Sequence, residues 1–269
     1  MVTKMYYGEI LLICFCSIYS VQTLPVTMVR RQLMLLSSTM VHGYEIMQQQ
    51  KPYLIEFFKR NNVSEVIFVP YAKVNGDYDG YTKMMADAIA TFELQTSVKG
   101  LHTFDDPVEA IKAAQCIYIG GGNSFVLLKK LYDLNLVELI HKRVLEDGMA
   151  YMGSSAGSNV ATRSIQTTND MPIIYPPSFD ALNLVPFNIN PHYIDADKNS
   201  THKGETREDR IKEFHIINEA AVLGLPEGTL LAVDDNKATL KGIANARLFT
   251  RTESREYQPE SDLSFLLEK

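Results

Sequence analysis

The sequence predicts an α/β protein: a three-layer, doubly wound, mostly parallel sheet with helices on both faces and short C-terminal strands. Two observations favour this fold class. Strand-like apolar runs alternate with helical patterns through the first 155 residues, which is typical of βαβ units. Two glycine-rich turns, at 120–122 and 153–157, each follow a strand-like run and precede a helical pattern, and they lie about one βαβ unit apart.

The elements of the first half follow from this alternation. Apolar runs predict strands at 33–36, 66–69 and 114–119, and the run at 149–152 leads into the second glycine-rich turn. Helical spacing of apolar residues predicts helices at about 44–60, 81–94, 108–113, 124–132 and 136–145. Because parallel strands present their carboxyl ends at one edge of a sheet, we expect both glycine-rich turns to lie at that edge.

The second half has a different composition. Proline, asparagine, aspartate and threonine dominate 167–172 and 188–193, which predicts loops that carry polar side chains. A helix is expected at 207–218, followed by short strands at 222–226, 230–233, 239–243 and 247–250. No interdomain linker is evident, so we expect one α/β domain over 31–269.

Composition excludes several classes of protein. A chain of 269 residues with 46% hydrophobic content can bury a full core. A formal charge of −6 argues against a nucleic-acid surface, which needs clustered lysine and arginine. We expect no nucleic-acid partner and no membrane association. We also expect no metal or other cofactor, because no cysteine and histidine residues have metal-ligand spacing. Nothing in the pattern indicates an oligomeric state.

The N-terminal 30 residues are expected to be a leader. The apolar run 10–21 resembles a signal-peptide core, yet it follows a single lysine and no small-residue cleavage site comes after it. Outside this leader, Cys116 is the one cysteine, which favours a reducing compartment. We therefore expect a cytoplasmic protein, with secretion as the alternative if residues 1–24 act as a signal peptide.

The run Gly153-Ser154-Ser155-Ala156-Gly157 is the most informative motif, because it fits Gly-x-Ser-x-Gly between a strand and a helix. Such a turn exposes the hydroxyl of its middle serine at the sheet edge. Ser155 is therefore the candidate nucleophile, and an ordinary glycine-serine turn is the alternative.

Serine hydrolysis also needs a base, an acid that orients the base, and N–H donors for the oxyanion. His192, which follows a proline in a polar loop, is the candidate base. Asp170 gives the chain order Ser, Asp, His, and we expect it to be the triad acid, with Glu227 in the turn 226–228 as the alternative. The oxyanion donors are expected to be the backbone N–H groups of Gly121, Gly122 and Ala156.

Six motifs in one order closely resemble peptidase E, the α-aspartyl dipeptidase family. They are Gly120-Gly121-Gly122-Asn123, the elbow motif 153–157, Thr167-Thr168-Asn169-Asp170-Met171-Pro172, Asn190-Pro191-His192, the run 202–207 and Gly224-Leu225-Pro226-Glu227-Gly228. The resemblance covers roughly 32–250. It implies a serine peptidase on a fold related to class I glutamine amidotransferases, which acts on dipeptides with an N-terminal aspartate. It also implies Ser155 as nucleophile, His192 as base, and Asp170 or Glu227 as third member of the catalytic triad.

The segment 202–210 is the candidate binding site for the substrate's acidic side chain. A capping-box pattern places Arg207 in the first turn of a helix, where the helix dipole disfavours a cation, and a bound carboxylate would offset that cost. We expect Arg207 to bind the substrate carboxylate, with Lys203, His202 and Glu205 beside it. A local ion pair of Arg207 with Glu205 or Asp209 is the alternative.

Two other functions are consistent with the same residues. One is a cyanophycinase-like hydrolase of aspartyl peptides, because such an enzyme also cleaves at aspartyl groups. The other is a catalytically silent protein that keeps the pocket to bind a ligand. Amidotransferase chemistry is disfavoured, because position 155 holds serine where that class has cysteine.

Overall fold

The computed structural model describes residues 30–197, 199, 201 and 203–268. The expected leader therefore lies outside the described residues, except for Arg30. The strands are β1 (Gln32–Leu36), β2 (Glu65–Val69), β3 (Ser97–Gly100), β4 (Cys116–Ile119), β5 (Ala150–Ser154), β6 (Asn188–Pro191), β7 (Val222–Leu225), β8 (Thr229–Asp234), β9 (Lys237–Gly242), β10 (Ala246–Phe249) and β11 (Ser254–Tyr257). The helices are α1 (Lys51–Arg60), α2 (Tyr78–Ala90), α3 (Pro107–Ala113), α4 (Ser124–Asp133), α5 (Val137–Leu145), α6 (Ala156–Val160) and α7 (Arg207–Ile217).

The larger sheet has seven strands in the order β3-β2-β4-β5-β1-β8-β9. The five strands from β3 to β1 are parallel, and β8 and β9 continue the sheet in antiparallel pairs. A smaller sheet has the order β11-β10-β7-β6, with β6 and β7 parallel. The mostly parallel α/β fold class is confirmed, with the later strands divided between the two sheets.

Successive residues of each central strand point to opposite faces of the sheet, and the core is divided accordingly. Along β1, Leu33 and Leu35 belong to one hydrophobic cluster, whereas Met34 and Leu36 belong to the other. The first cluster includes residues of α3, α4 and α5, and the second includes residues of α1 and α2. This arrangement produces three layers, with helices on both faces.

Several boundaries differ from the sequence prediction. Helix α1 begins at Lys51 instead of residue 44, and its second residue is Pro52, which is favourable in a first helical turn. Strand β6 lies where a loop was expected, because its asparagines are buried with their amides bonded: Asn188 Nδ2 donates to Ser164 O and Asn190 Nδ2 donates to Thr167 O. Strands β3 and β11 were not predicted, since both are short and carry little apolar sequence.

Within the described residues, no helix is both long enough and apolar enough to cross a membrane.

Candidate active site

Ser155 stands at a sharp bend between β5 and α6. Its backbone has φ 51° and ψ −111°, a conformation that is strained for a residue with a side chain. The flanking glycines make the bend possible: a Cβ on Gly153 would lie 2.6 Å from Gly157 O, and one on Gly157 would overlap the carbonyl oxygen of Ile119. The predicted elbow geometry is therefore present, and the bend places the Ser155 hydroxyl at the carboxyl edge of the sheet.

His192 connects this hydroxyl to a carboxylate. Its Nε2 lies 2.9 Å from Ser155 Oγ, and its Nδ1 lies 2.8 Å from Glu227 Oε1. His192 follows β6, and Glu227 lies in the turn between β7 and β8, so neighbouring elements bring both to the elbow. Histidine can take the serine proton at Nε2 while the carboxylate fixes the tautomer at Nδ1. The geometry is that of a serine-histidine-acid triad.

Asp170 occupies a different place from the one we expected. Its Oδ2 accepts hydrogen bonds from the backbone N–H of Ser124 at 2.7 Å and from Thr168 Oγ1 at 3.0 Å. A carboxylate at the N-terminus of α4 is favourable, because free N–H groups and the helix dipole attract negative charge. The preference for Asp170 as the acid that orients His192 must therefore be corrected: Glu227, the alternative, makes that hydrogen bond.

The glycine-rich turn after β4, residues 120–122, forms a loop against Ser155, and we call it the oxyanion loop after the role expected of it. A Cβ on Gly121 would lie 3.1 Å from Ser155 Cβ, and one on Gly122, whose φ is 139°, would overlap Ala72 O. The hydroxyl of Tyr81 accepts a hydrogen bond from Gly121 N at 2.8 Å and donates one to Gly121 O at 3.2 Å.

This contact changes the expected set of oxyanion donors. Because the Gly121 N–H already donates to Tyr81, Gly122 and Ala156 are the expected donors left to face a substrate oxygen. Burial raises the pKa of Tyr81 to about 12, so its hydroxyl stays protonated at neutral pH. Tyr81 was not predicted as a site residue, because a tyrosine in an amphipathic helix carries no motif.

Arg207 is the first residue of α7, as the capping box predicts. Thr206 Oγ1 accepts from Asp209 N, and Asp209 Oδ2 accepts from Thr206 N. Glu205 lies 3.6 Å from the guanidinium of Arg210. Among the described residues, Arg207 makes no ion pair with Glu205 or Asp209, which was the alternative role for it. Glu205 lies near Arg210, and Asp209 bonds to Thr206.

Arg207 lies in a half-buried environment with neighbouring charges of both signs. Burial and the neighbouring charge of Arg210 lower the pKa of Arg207, and the negative charge of Asp170 opposes them. Arg207 and Arg210 border a cleft of about 370 Å³, which is also lined by Asp195, Asp197 and Glu205.

The remaining predicted residues are placed less informatively. Lys203 is exposed in the loop before α7, and His202 lies outside the described residues. In the part of the chain that the structure describes, no three His, Cys, Asp or Glu side chains are grouped so as to hold a metal ion. Cys116 is a free, buried thiol in β4.

The strained serine at the strand-helix bend is hydrogen-bonded to a histidine, which is hydrogen-bonded to a carboxylate. This arrangement at the carboxyl edge of a mostly parallel sheet defines a serine hydrolase of the α/β class. The family model "Peptidase family S51" matches residues 33–241. The chain therefore belongs to peptidase family S51, and it is a serine-type peptidase.

Individual relatives agree with this assignment. The chain is 50% identical over 240 residues to a Drosophila melanogaster protein named "Probable alpha-aspartyl dipeptidase", covering 89% of this chain and 98% of the relative. It is 46% identical over 237 residues to "Peptidase E" of Streptomyces coelicolor, covering 88% and 95% respectively. The crystal structure of a peptidase from an acI-B1 Actinobacterium has the same fold, with a TM-score of 0.64 at 16% identity, covering 89% of this chain and 98% of that one.

Proposed function

We propose that this protein is an α-aspartyl dipeptidase that hydrolyses Asp-X dipeptides through an acyl-enzyme on Ser155, with His192 as general base and Glu227 as the acid that orients it. The observation that carries this proposal is the continuous hydrogen-bond chain from Ser155 Oγ through His192 to Glu227. The names of relatives that are 46–50% identical to this chain support the substrate class.

The reaction follows from the positions of these atoms. Ser155 Oγ attacks the peptide carbonyl carbon as its proton passes to His192 Nε2, and Glu227 stabilises the resulting imidazolium. The negative oxygen faces the N–H groups of Gly122 and Ala156. The proton then passes from His192 to the leaving amine, which departs as the C–N bond breaks. Water, deprotonated by the same histidine, hydrolyses the ester and restores the Ser155 hydroxyl.

An Asp-X dipeptide carries a free α-ammonium, a side-chain carboxylate and a C-terminal carboxylate, and we assign partners beside the triad to the first two. We assign the substrate's side-chain carboxylate to Arg207, because a guanidinium presents a planar pair of donors to a carboxylate. We assign the free α-ammonium to Asp170. The position of Asp170 supports this role, since its Oδ2 is anchored at the start of α4, directly after the oxyanion loop.

We also infer that residues 31–269 act as one serine hydrolase domain, and that the protein works in the cytoplasm. The free thiol of Cys116 supports a reducing compartment.

The test is a panel of dipeptides with Asp, Glu, Asn, Ala or Lys in the first position, assayed with native protein and with Arg207→Ala. We expect turnover of Asp-X alone by native protein. Arg207→Ala should lose roughly 2–5 kcal/mol in kcat/KM for Asp-X and far less for Asn-X. Lys212→Ala is the matched control, because it removes a cation of the same helix that pairs with Glu208 on the surface.

Each alternative outcome has a defined meaning. An Arg207→Ala variant that cleaves Asp-X normally and still rejects Asn-X would move carboxylate recognition to Lys203 or His202. Cleavage of aspartyl polymers in place of dipeptides would favour the cyanophycinase-like function. Tight binding of Asp-X without turnover would contradict the proposal.

A further inference from the structure

The carboxyl end of β1 contacts the segments that carry all three residues of the proposed triad. Leu36 O accepts a hydrogen bond from the backbone N–H of Ser155 at 3.0 Å. Ser37, the next residue, is fully buried, and its Oγ accepts from the backbone N–H of His192 at 2.9 Å. The same Oγ donates to Leu225 O at 2.7 Å, two residues before Glu227.

The contact matters because His192 has an unusual backbone. Its φ is 53°, in the left-handed region, which costs free energy for a residue with a side chain and persists only where the surroundings fix it. Three hydrogen bonds supply that constraint. Asn169 Nδ2 donates to Pro191 O at 2.7 Å, Tyr193 N donates to Leu225 O at 3.0 Å, and His192 N donates to Ser37 Oγ.

Of these three bonds, the one to Ser37 involves the histidine's own backbone. The Ser37 hydroxyl lies between β6, which ends just before His192, and β7, which leads into the Glu227 turn. Ser37 N donates to Thr229 O at 3.0 Å, so the same residue also holds the far side of that turn. A shift of Ser37 would therefore change both distances that the imidazole must keep, to Ser155 Oγ and to Glu227 Oε1.

We propose that Ser37 is a positioning residue for the general base, holding the strained His192 backbone so that the imidazole meets the nucleophile and the acid together. This inference rests on the proposed function. Ser37 bonds to backbone groups and is not itself part of the proton transfer. Its hydroxyl fits the role because it can accept from one strand end and donate to the other at the same time.

The test compares Ser37→Ala with Ser38→Ala. Ser38 is the matched control, because it is also a buried serine and its Oγ makes two hydrogen bonds, both to the backbone of Met40 in a local turn. The measurements are kcat and KM for Asp-X, the rate of labelling by a fluorophosphonate, and the melting temperature.

We expect Ser37→Ala to lose about 10- to 100-fold in kcat, because small displacements of a catalytic group have effects of this order. Labelling should slow to a similar extent, while KM changes little. Ser38→Ala should have a melting temperature similar to that of Ser37→Ala, and it should keep the native kcat and the native rate of labelling. If Ser37→Ala does not fold, Ser37→Cys fills the site with a somewhat larger and only weakly hydrogen-bonding thiol, and the same kcat loss is expected.

Two results would overturn the inference: native kcat in a folded Ser37→Ala or Ser37→Cys variant, or an equal kcat loss in Ser38→Ala. A rise in KM with unchanged kcat would also contradict the inference, because misplacement of the base acts on the chemical step. His192→Ala separates this failure from failure of the proposed function. If His192→Ala keeps full turnover, the triad itself is wrong, whatever Ser37 does.

Discussion

Replacing Glu227 by glutamine tests which acid orients the base. Glutamine keeps the size of the side chain, removes its negative charge, and can direct an amide N–H at His192 Nδ1. Nδ1 would then act as an acceptor, so the proton would lie on Nε2, the atom that must take the serine's proton. The imidazolium formed during attack would also lose its counter-charge.

The structure sets the size of the effect. Loss of a buried triad acid lowers kcat by about 10⁴-fold, but the side chains of His192 and Glu227 are 37% and 50% exposed. Because water can partly replace a carboxylate at such a site, we expect a loss of about 10²- to 10³-fold in kcat, or roughly 3–4 kcal/mol in the activation barrier. KM for Asp-X should change little, because the loss falls on the transition state.

Steady-state kinetics on Asp-X dipeptides measures the effect, and Asp170→Asn is the matched comparison. That variant should keep kcat within about tenfold and raise KM, since Asp170 is assigned to the substrate's ammonium. It should also melt at a lower temperature, because a charge that accepts the Ser124 N–H at the start of α4 is lost. A large kcat loss for Asp170→Asn, together with near-native kcat for Glu227→Gln, would refute the assignment of Glu227.

Two further predictions concern the glycine-rich turns. Gly157→Ala should lower the free energy of unfolding by about 1–3 kcal/mol or more, because its Cβ would overlap the backbone oxygen of Ile119. A native melting temperature in this variant would contradict the close packing of α6 against β4. Tyr81→Phe removes both hydrogen bonds to the oxyanion loop and should lower kcat about tenfold, with a small change in KM, in the same peptide assay. Unchanged kcat in Tyr81→Phe would mean that the loop keeps its position without the hydroxyl.

Much of the fold could be predicted from sequence because the central strands are continuous apolar runs between helical patterns. Strand β4, for example, is buried at every position, so its pattern is unambiguous. Strand β6 could not be recognised in the same way. Its asparagines are buried because their amides bond to neighbouring carbonyl groups, and a sequence does not reveal those partners.

The candidate site divides along similar lines. The elbow motif indicates Ser155, because the turn needs small residues at fixed spacing, and the polar loop suggests His192. The choice between Asp170 and Glu227 depends on which carboxylate the fold brings to His192 Nδ1, and chain order carries no information on that distance. The hydroxyl groups of Tyr81 and Ser37 bond to backbone groups of the site, and contacts of this kind leave no motif in the sequence.

Ser155 is proposed as the nucleophile of an Asp-X hydrolase, and the position of a covalent label tests this assignment. The protein is treated with a fluorophosphonate, digested and analysed by mass spectrometry, and residual Asp-X turnover is measured in parallel. Ser154→Ala is the matched control, since Ser154 is the adjacent serine and its hydroxyl bonds to Tyr118. We expect one adduct, on Ser155, with turnover lost in proportion to labelling. Ser155→Ala should lose both label and turnover, and Ser154→Ala should keep both. The assignment of Ser155 would be contradicted by Asp-X turnover that survives in Ser155→Ala, or by an adduct on another residue that accompanies the loss of activity.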